Sequence, residues 1–499
     1  MAVKPRTDLK PNTFEFENEP LVSPSGFREY DARWLFPDQI NLVGVRDLGL
    51  GLGTLIHELG VRPAISVGHD FRSYSLSIKN ALIVGLMAAG CEVYDIGLAL
   101  SPVAYFSQFA LDVPCVAMVT ASHNENGWTG VKMGAERPLT FGPELMTRLK
   151  DIVLAGAGKE RAGGRYHAVD GMARTYIDDL TGKLKLRHPL KVVAACGNGT
   201  AGAFAPKVLE GIGATVIPLD CELDYTFPRY NPNPEDMEML HALAHQVRES
   251  GADVGLGFDG DGDRCGVVDN EGEEIFADKV GVMLARDLSA RFPDAQFVVD
   301  VKSTGLYLTD PVLIANGAKT DYWKTGHSYI KRRSHELGAL VGFEKSGHYF
   351  FNAPLGRGYD DGLVSALAVC EMLDRNPGKK MSDLRRDLQQ TWGSPTMSPY
   401  CADEAKYDVV DRMVAYFEDQ KAKGGKLIGQ NIRDLVTVNG VRVVLEDGTW
   451  GLVRASSNKP GLVVVVESPT SEANMRGIFK EIDTLLSAQP EVGEYDQKI

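Results

Sequence analysis

The chain has 499 residues, too many for a single core, and its length predicts about three or four domains. Hydrophobic residues make up 44% and charged residues 24%, an ordinary balance for a soluble globular enzyme, and the net charge of −14 argues against nucleic acid or an acidic membrane as the main partner. An anionic ligand must therefore be met by local cations. No apolar run reaches the ~18 residues of a membrane span; the longest, "ALIVGLMAAGCEVY" (81–94), breaks at Gly90 and Glu92. The N-terminal segment has no apolar h-region, so no secretory signal is expected. Seven cysteines are scattered singly, with no CxxC and no zinc spacing, which predicts reduced thiols in a cytoplasmic protein.

The first third alternates strand-like and helix-like pieces. "AISVGHD" (64–70) has the apolar run of a buried strand, and "SLSIKNALIVGLMAAG" (75–90) has helical spacing with a glycine end. "EVYDIG" is a short strand, "PVAYFSQFAL" (102–111) a helix and "VPCVAMV" (113–119) another strand. A glycine- and charge-rich stretch, 156–171, marks a boundary. The rhythm restarts in "LKVVAACGNGTAGAFAPKVLEGIGATVIPLD" (190–220), passes through a helix within 231–250, and gives strand, loop and strand in "ADVGLGFDGDGDRCGVVDNEG" (252–272). It restarts once more near residue 275, ending in "ALVGFEKSGHYFF". The tail differs: 440–468 reads as an antiparallel meander and 471–488 as a helix. This pattern predicts an α/β protein, three tandem α/β domains with mixed sheets plus a smaller C-terminal α+β domain. The expected boundaries are 1–165, 166–274, 275–393 and 394–499.

The sharpest chemical signal is "DGDGDR" (259–264). Asp259, Asp261 and Asp263 alternate with glycines, which let a tight loop curl until the three side chains converge. Three like charges so close repel unless a cation sits among them. A hard divalent cation suits oxygen ligands, with Mg²⁺ the default where phosphate is handled. An EF-hand fails on spacing, since Arg264 and Asn270 stand where Gly and Glu are required. A solvated acidic turn is the plainer reading, but the loop follows a buried-type strand, where active-site loops commonly sit.

A second segment, "TASHNENGWTGVK" (120–132), gathers Ser122, His123, Asn124 and Lys132 just after an apolar strand. It is either an ordinary polar loop or a nucleophilic serine with helpers. A metal loop with an adjacent Arg264 and a serine loop elsewhere point to phosphoryl transfer, in which the protein positions groups and stabilises charge. Serine alone is a weak nucleophile and needs a base and a Lewis acid.

At this point six motifs in order resemble the α-D-phosphohexomutases, most closely the bacterial phosphomannomutase/phosphoglucomutase branch, over nearly the whole chain. They are "FREYDAR" (27–33), "TASHN", "DGDGDR", "KTGHSYIK" (324–331), "GFEKSGH" (342–348) and "RASSNKPG" (454–461). The resemblance implies four domains around a central cleft, and a phosphoserine at Ser122 with one phosphate oxygen completing a magnesium shell of Asp259, Asp261 and Asp263. The phosphoryl group would pass to the substrate to give a hexose 1,6-bisphosphate, which turns end for end and returns its other phosphate to Ser122. Lys132 and His327 match the acid–base positions, with His123 and Arg264 beside them. As a base Lys132 needs a depressed pKa, which nearby cations such as Arg264 and Mg²⁺ could supply. Glu344 and Ser346 resemble the residues that hold sugar hydroxyls, and Arg454, Ser456, Ser457 and Asn458 those that hold the non-reacting phosphate. Tyr30, Arg33, Lys302 and the pair Asp360 and Asp361 also fall on family positions. Plainer readings stand beside these: a solvent-exposed Lys132, a turn His327, a loop-ordering His123, a packing Tyr30, and Asp360 and Asp361 that only order their loop.

The chain also departs from the family pattern. Glu125 stands where proline usually follows "SHN", Trp34 where glycine is usual, His69 where arginine is usual, and Phe343 where glycine is common, with Lys345 in the variable position of the sugar loop. The last two bear on sugar preference. The resemblance implies mannose 6-phosphate to mannose 1-phosphate conversion with glucose phosphates accepted too, a small-molecule phosphosugar substrate, and a monomer or weak dimer. Phosphoglucosamine mutase is the enzyme alternative, set against by Gly262 where that branch shows alanine. A non-catalytic phosphosugar-binding protein and a Mg²⁺-dependent sugar phosphatase are the others.

Overall fold

The structure is a computed structural model that describes residues 4–457 and 459–499. It divides into two compact units, Met1–Phe276 with Ser346–Ser382, and Ala277–Lys345 with Asp383–Ile499.

The first unit contains two mixed sheets. In the first, Ala64–His69 lies at the centre and pairs in parallel with both Cys115–Val119 and Glu92–Leu98, and Arg165–Ala168 extends the parallel part. Trp128–Gly134 and then Ala32–Leu35 add antiparallel strands on the other edge. In the second sheet Lys191–Ala195 pairs in parallel with Thr215–Leu219 and Val254–Phe258, and Cys265–Asp269 returns antiparallel. Strands buried on both faces have no polar side to show, which is why Cys115–Val119 and Val254–Phe258 read as unbroken apolar or glycine runs. The elements expected over 64–119 and 252–272 form as anticipated.

The helix Leu42–Glu58 gave no clear sequence signal, because four glycines interrupt its apolar pattern. Each glycine costs a helix about 1 kcal/mol relative to alanine. The offset is close packing on the helix Ser75–Ala88: a Cβ at Gly85 would collide with the Arg46 carbonyl oxygen, and one at Gly49 with that of Leu82. Trp34 explains its own departure. It is buried in its strand, meets Phe27 edge-on at 5.2 Å, and donates Nε1–H to Ser23 O at 2.8 Å. The room comes from Gly26, where any Cβ would strike the indole.

In the second unit Gln296–Asp300 pairs in parallel with Lys319–Trp323 and Val341–Phe343. A separate antiparallel sheet runs through Trp392–Gly393, Leu462–Ser468, Trp450–Ala455, Val441–Leu445 and Gln430–Val436. The meander expected over 440–468 and the helix that follows it, Glu472–Ser487, are both present. The charge-rich helix Lys406–Ala422 was not anticipated; its Val409, Met413 and Phe417 join Ile478 and Ile482 in one apolar core against the sheet. Arg442 lies over Trp450 (3.7 Å) and Tyr322 (4.4 Å), and donates to the carbonyls of Val301 (2.9 Å) and Ser303 (2.6 Å).

Glu467 is a buried carboxylate that this second unit satisfies completely. It accepts from Lys279 Nζ (2.7 Å), Gly305 N (2.9 Å), Trp450 Nε1 (3.1 Å) and the hydroxyls of Thr304 and Thr391 (both 3.0 Å). Burial alone would raise its pKa, but the Lys279 ammonium and the Gly305 amide outweigh burial and hold it at about 2, against 4.5 for a free carboxyl. Its contribution to stability is therefore complete above pH 4.5 and lost as the pH falls through 2, and amounts to about 3 kcal/mol. Glu467→Gln is expected to lower the melting temperature at pH 7 and to flatten the loss of stability between pH 4.5 and 2; thermal melts followed by circular dichroism at several pH values test both.

Candidate active site

Ser122 sits just beyond Cys115–Val119, at the C-terminal end of a parallel strand, where α/β folds place ligand-binding loops. Its φ of 54° is left-handed, an uncommon conformation for a non-glycine residue, held here by its neighbours. The Ser122 amide donates to Thr120 Oγ1 at 2.9 Å. Arg72 Nη2 donates to the carbonyls of Ser122 (3.1 Å) and Asn124 (2.6 Å). Arg33 Nη1 donates to Ala121 O (3.0 Å) and Asn124 Oδ1 (2.6 Å), and Asn231 Nδ2 donates to His123 O. Asp70 ties this scaffold together by pairing with Arg72 and accepting from Ser75 Oγ (2.5 Å) and Thr120 Oγ1 (2.9 Å).

The loop 259–264 follows Val254–Phe258, again beyond a strand with a parallel neighbour. Asp259, Asp261 and Asp263 are fully buried, and one oxygen from each lies within 4.8 Å of the others. Gly262, at φ 71°, turns the chain, and Gly260 lets this loop touch the serine loop: a Cβ there would lie 2.6 Å from Ser122 O. The Ser122 Oγ stands 3.3 Å from Asp259 Oδ2 and 3.2 Å from His123 Nδ1. Lys132 Nζ pairs with Asp261 Oδ2 (2.7 Å) and with Asp263, and also reaches Ser101 Oγ (3.1 Å). Arg264 Nε donates to Asp259 Oδ2 at 2.9 Å, and its Nη1 lies 3.2 Å from Glu235 Oε2. His348 Nε2 lies 3.4 Å from Asp263 Oδ1, while its Nδ1 is 3.0 Å from Ser346 Oγ.

In the second unit Gly326, with φ 132°, donates its amide to Glu344 Oε1 at 2.6 Å and opens the helix His327–Leu337. Glu344 is thereby tied to the residue just before His327, and both side chains are buried. Lys302 Nζ is 4.0 Å from Asp300 Oδ2, whose carboxylate also receives Thr325 Oγ1 at 3.1 Å. Arg454 is the last residue but one of the strand Trp450–Ala455 and donates Nη1 to Ala455 O at 2.7 Å; the Ser456 amide donates to Gly461 O at 2.9 Å. Lys406 Nζ donates to Ser456 O at 2.5 Å and so pins the loop from below. Ser457 is half-buried in this loop, and Asn458 lies outside the described residues.

Comparison with known proteins agrees with this geometry. Models of the phosphoglucomutase/phosphomannomutase family match the chain in four successive segments: alpha/beta/alpha domain I over residues 24–159, domain II over 174–272, domain III over 276–392 and the C-terminal domain over 401–485. The chain belongs to the phosphoglucomutase/phosphomannomutase family. It is 36% identical over 472 residues to a phosphomannomutase/phosphoglucomutase from Pseudomonas putida, covering 93% of this chain and 96% of the relative. It is 31% identical over 448 residues to a phosphoglucomutase from Neisseria gonorrhoeae, covering 90% and 94% of the two chains. Among solved structures it resembles a family protein from Burkholderia thailandensis with a TM-score of 0.85 and 30% identity, covering 95% of this chain and 99% of the other.

Within this family member the charges of the site are tightly interlocked. Burial and the neighbouring Asp263 raise Asp259 to about 7, against the pull of Arg264. Burial also works to raise Asp263, but Lys132 and His348 overcome it and hold Asp263 well below the usual carboxylate range. Burial, with the cations Arg264 and Arg33, pushes His123 far below its ordinary value, so its ring is neutral and able to accept from Ser122. The protein's own groups do not depress Lys132 as expected. Burial lowers its pKa, yet Asp261 and Asp263 more than compensate and hold the ammonium well above its ordinary range. Nor is Lys132 solvent-exposed, being 2% accessible.

Phe343, which stands where glycine is common, is buried and packs against Phe297 and Tyr307, each with ring centroids 5.8 Å away. Lys345 turns to Asp278 at 3.2 Å. Asp361 accepts the Tyr176 hydroxyl at 2.8 Å and caps the helix Gly362–Arg375, which is the loop-ordering reading. Asp360 lies buried beside Asp263 and His348. Tyr30 is buried, and Glu125 points to solvent. His69 Nδ1 engages the Asp70 carbonyl at 2.9 Å, in place of a fixed charge.

Sequence reading missed Asp70, Arg72, Ser101, Asn231, Glu235 and His348. Signals were present for three of them: Asp70 and Arg72 in "HDFR" (69–72), at the end of the strand Ala64–His69 and so in the same strand-end position as the serine loop, and His348 as the last residue of "GFEKSGH". The contact between Gly260 and Ser122 O makes a sharp test. Gly260→Ala should displace the serine oxygen by several tenths of an ångström or more and lower turnover about 100-fold, while Gly142→Ala, which meets open space, should leave it unchanged; steady-state kinetics compare the two.

Proposed function

We propose that this chain interconverts hexose 6-phosphate and hexose 1-phosphate by moving a phosphoryl group on and off Ser122, through a hexose 1,6-bisphosphate. The chain is a phosphohexomutase; the route, the metal and the residue roles are the reading that the site supports best. The observation that carries it is a serine hydroxyl 3.3 Å from one of three buried aspartates that have too few counter-charges.

The three carboxylates fit a divalent cation. Asp261 Oδ1 is buried and accepts no hydrogen bond among the described residues, and oxygen-only donors of this kind suit Mg²⁺. Asp259, Asp261 and Asp263, with the Ser122 oxygen, are the ligands we assign to it. Such an ion supplies Lewis-acid stabilisation of phosphoryl charge. The chain's own groups do the rest. Arg33, Arg72 and Asn231 fix the serine loop, so Ser122 is aligned before substrate arrives. The neutral His123 orients the hydroxyl. Lys132, paired with Asp261 and Asp263 beside the serine loop, is the group we assign to proton exchange with the serine oxygen as the phosphoryl group comes and goes. Arg264 offsets charge on the Asp259 side.

In the second unit we assign His327 to proton transfer at the substrate hydroxyl, Glu344 and Lys302 to the sugar and its charge, and Arg454, Ser456, Ser457 and Asn458 to the phosphate that does not react. Of the first unit's residues, we also assign Ser346, Arg33 and Tyr30 to substrate binding. No helix among the described residues is long and apolar enough to cross a membrane. The seven unbridged thiols are in keeping with a cytoplasmic enzyme, as a monomer or weak dimer.

Two outcomes test this reading. Intact mass of the purified protein should show a fraction heavier by one phosphoryl group; Ser122→Ala should lose that fraction together with at least 1,000-fold in activity, and Asp261→Asn or EDTA should also suppress turnover. Full mutase activity in Ser122→Ala would overturn the assignment. The second outcome concerns the sugar. Glu344 and Ser346 are assigned to hydroxyls away from C2, where mannose and glucose differ, and the burial of Phe343 and the pairing of Lys345 with Asp278 support that reading. The kcat/KM values for mannose and glucose 1-phosphates should then agree within about tenfold, under ~1.4 kcal/mol of discrimination, in a coupled assay.

A further inference from the structure

Cys196 and Cys221 lie at the C-terminal ends of two paired parallel strands, Lys191–Ala195 and Thr215–Leu219. Their sulfur atoms are 3.5 Å apart, and they are the one pair of thiols that hydrogen-bond each other among the described residues. Nothing in the phosphoryl-transfer chemistry uses them. Cys196 is fully buried, while Cys221 is partly open to solvent. The backbone on both sides holds the pair in register: the Cys196 amide donates to Leu219 O at 3.1 Å.

From this geometry we infer that Cys196 and Cys221 form a peroxide-oxidisable dithiol, closing to a disulfide that slows turnover at the neighbouring phosphoryl-transfer site. The Cys221 thiolate attacks a hydroperoxide oxygen: an S–O bond forms, the O–O bond breaks, and the departing hydroxide is protonated to water. The Cys196 sulfur then attacks Cys221, forming the S–S bond and breaking S–O. The second hydroxide leaves with the Cys196 proton as water. Two thiols are oxidised and one hydroperoxide is reduced. Cys221 suits the first step by access, and its thiol is poised below its ordinary pKa by the hydrogen bond with Cys196. The other cysteines are poor competitors. Burial pushes Cys91 up to about 11 and both Cys115 and Cys370 up to about 12, and raises Cys265 and Cys401 as well.

The link to the site is structural. After Cys196 the chain turns through Gly197–Gly199 to Thr200, whose amide donates to Gly260 O at 3.2 Å and whose hydroxyl accepts from the Phe71 amide at 2.9 Å. After Cys221 the chain reaches Asn231, which holds His123 O, and Pro232, whose carbonyl accepts from the Gly260 amide at 3.1 Å. The two segments thus grip the metal loop and the serine loop. An S–S bond is about 2.05 Å long, so closure draws the two sulfur atoms together by about 1.5 Å, and the part of that shift passed to the two segments misplaces the groups that they align.

The test uses the full chain treated with hydrogen peroxide. Peptide mapping without reduction should recover Cys196 and Cys221 in one disulfide-linked species, and turnover should fall at least fivefold and return with dithiothreitol. Cys221→Ser should keep basal activity and lose both the linkage and the peroxide response. In Cys196→Ala, dimedone should trap a sulfenic acid at Cys221, which keeps the inference testable should the first variant fold poorly. A linkage elsewhere, sulfinic acid at Cys221 with no linkage in the unaltered chain, or an oxidised chain with unchanged turnover would overturn it. The mapping and dimedone results do not depend on mutase activity; the activity readout alone rests on the proposed function, so failure of one is distinguishable from failure of the other.

Discussion

Three carboxylates buried within 4.8 Å of one another set the terms for everything around them. Unscreened, their repulsion in a water-poor site would exceed what a loop of six residues could withstand. The first unit supplies Lys132 and Arg264 as partial counter-charges, both buried, and each is itself affordable only because the carboxylates are there. The result is a set of charges in which no member can be removed without stranding another. A group of this kind is an awkward way to stabilise a fold and a suitable way to keep a place for a divalent ion and a phosphate. The inverted behaviour of Lys132 follows from the same fact, since two adjacent carboxylates outweigh the burial that would otherwise favour the neutral amine.

That cluster needs exact loop placement, and the fold provides it through backbone contacts more than side-chain packing. Gly260 against Ser122 O is the tightest of these, and Gly262 in the left-handed region makes the turn. The serine loop is in turn fastened by Arg72, Arg33 and Asn231, which bind carbonyl oxygens and so fix the main chain itself. Asp70 anchors Arg72 from the end of the neighbouring strand. A left-handed serine is strained, and a strained residue persists only where its surroundings overdetermine it. Here five separate donors and acceptors do so. The Cys196 and Cys221 thiols border the same scaffold, which is why a bond between them bears on the site at all.

The two units use different means to the same end. In the first, loops extend from the C-terminal ends of parallel strands, where neighbouring crossovers leave an open edge. In the second, the 454–461 loop joins antiparallel strands and is pinned by Lys406, a residue on a helix. Short polar side chains and Arg454 in this segment are the groups that the proposed function assigns to a phosphate. Arg442 stacked between Tyr322 and Trp450, and Glu467 with its five donors, tie the sheet of this unit to Val301, Ser303 and Thr304 beyond the strand Gln296–Asp300.

Much of this was legible in the chain itself. The alternating rhythm pointed to the α/β class, the unbroken apolar runs to the buried strands, and "DGDGDR" to three converging carboxylates, because period and local charge are written in sequence. The helix Leu42–Glu58 was not legible, since its glycines count against a helix until the second helix that they admit is known. Phe343 could be placed in the core, and Trp34 over Gly26, only once their neighbours were in space. Arg72, Ser101, Asn231, Glu235 and His348 lie between 29 and 160 residues from the site residues that they hold. The residue types that can do this chemistry are a property of the sequence. Which carboxylate meets which ammonium, and therefore which proton is held and which released, depends on distances that only the folded chain sets.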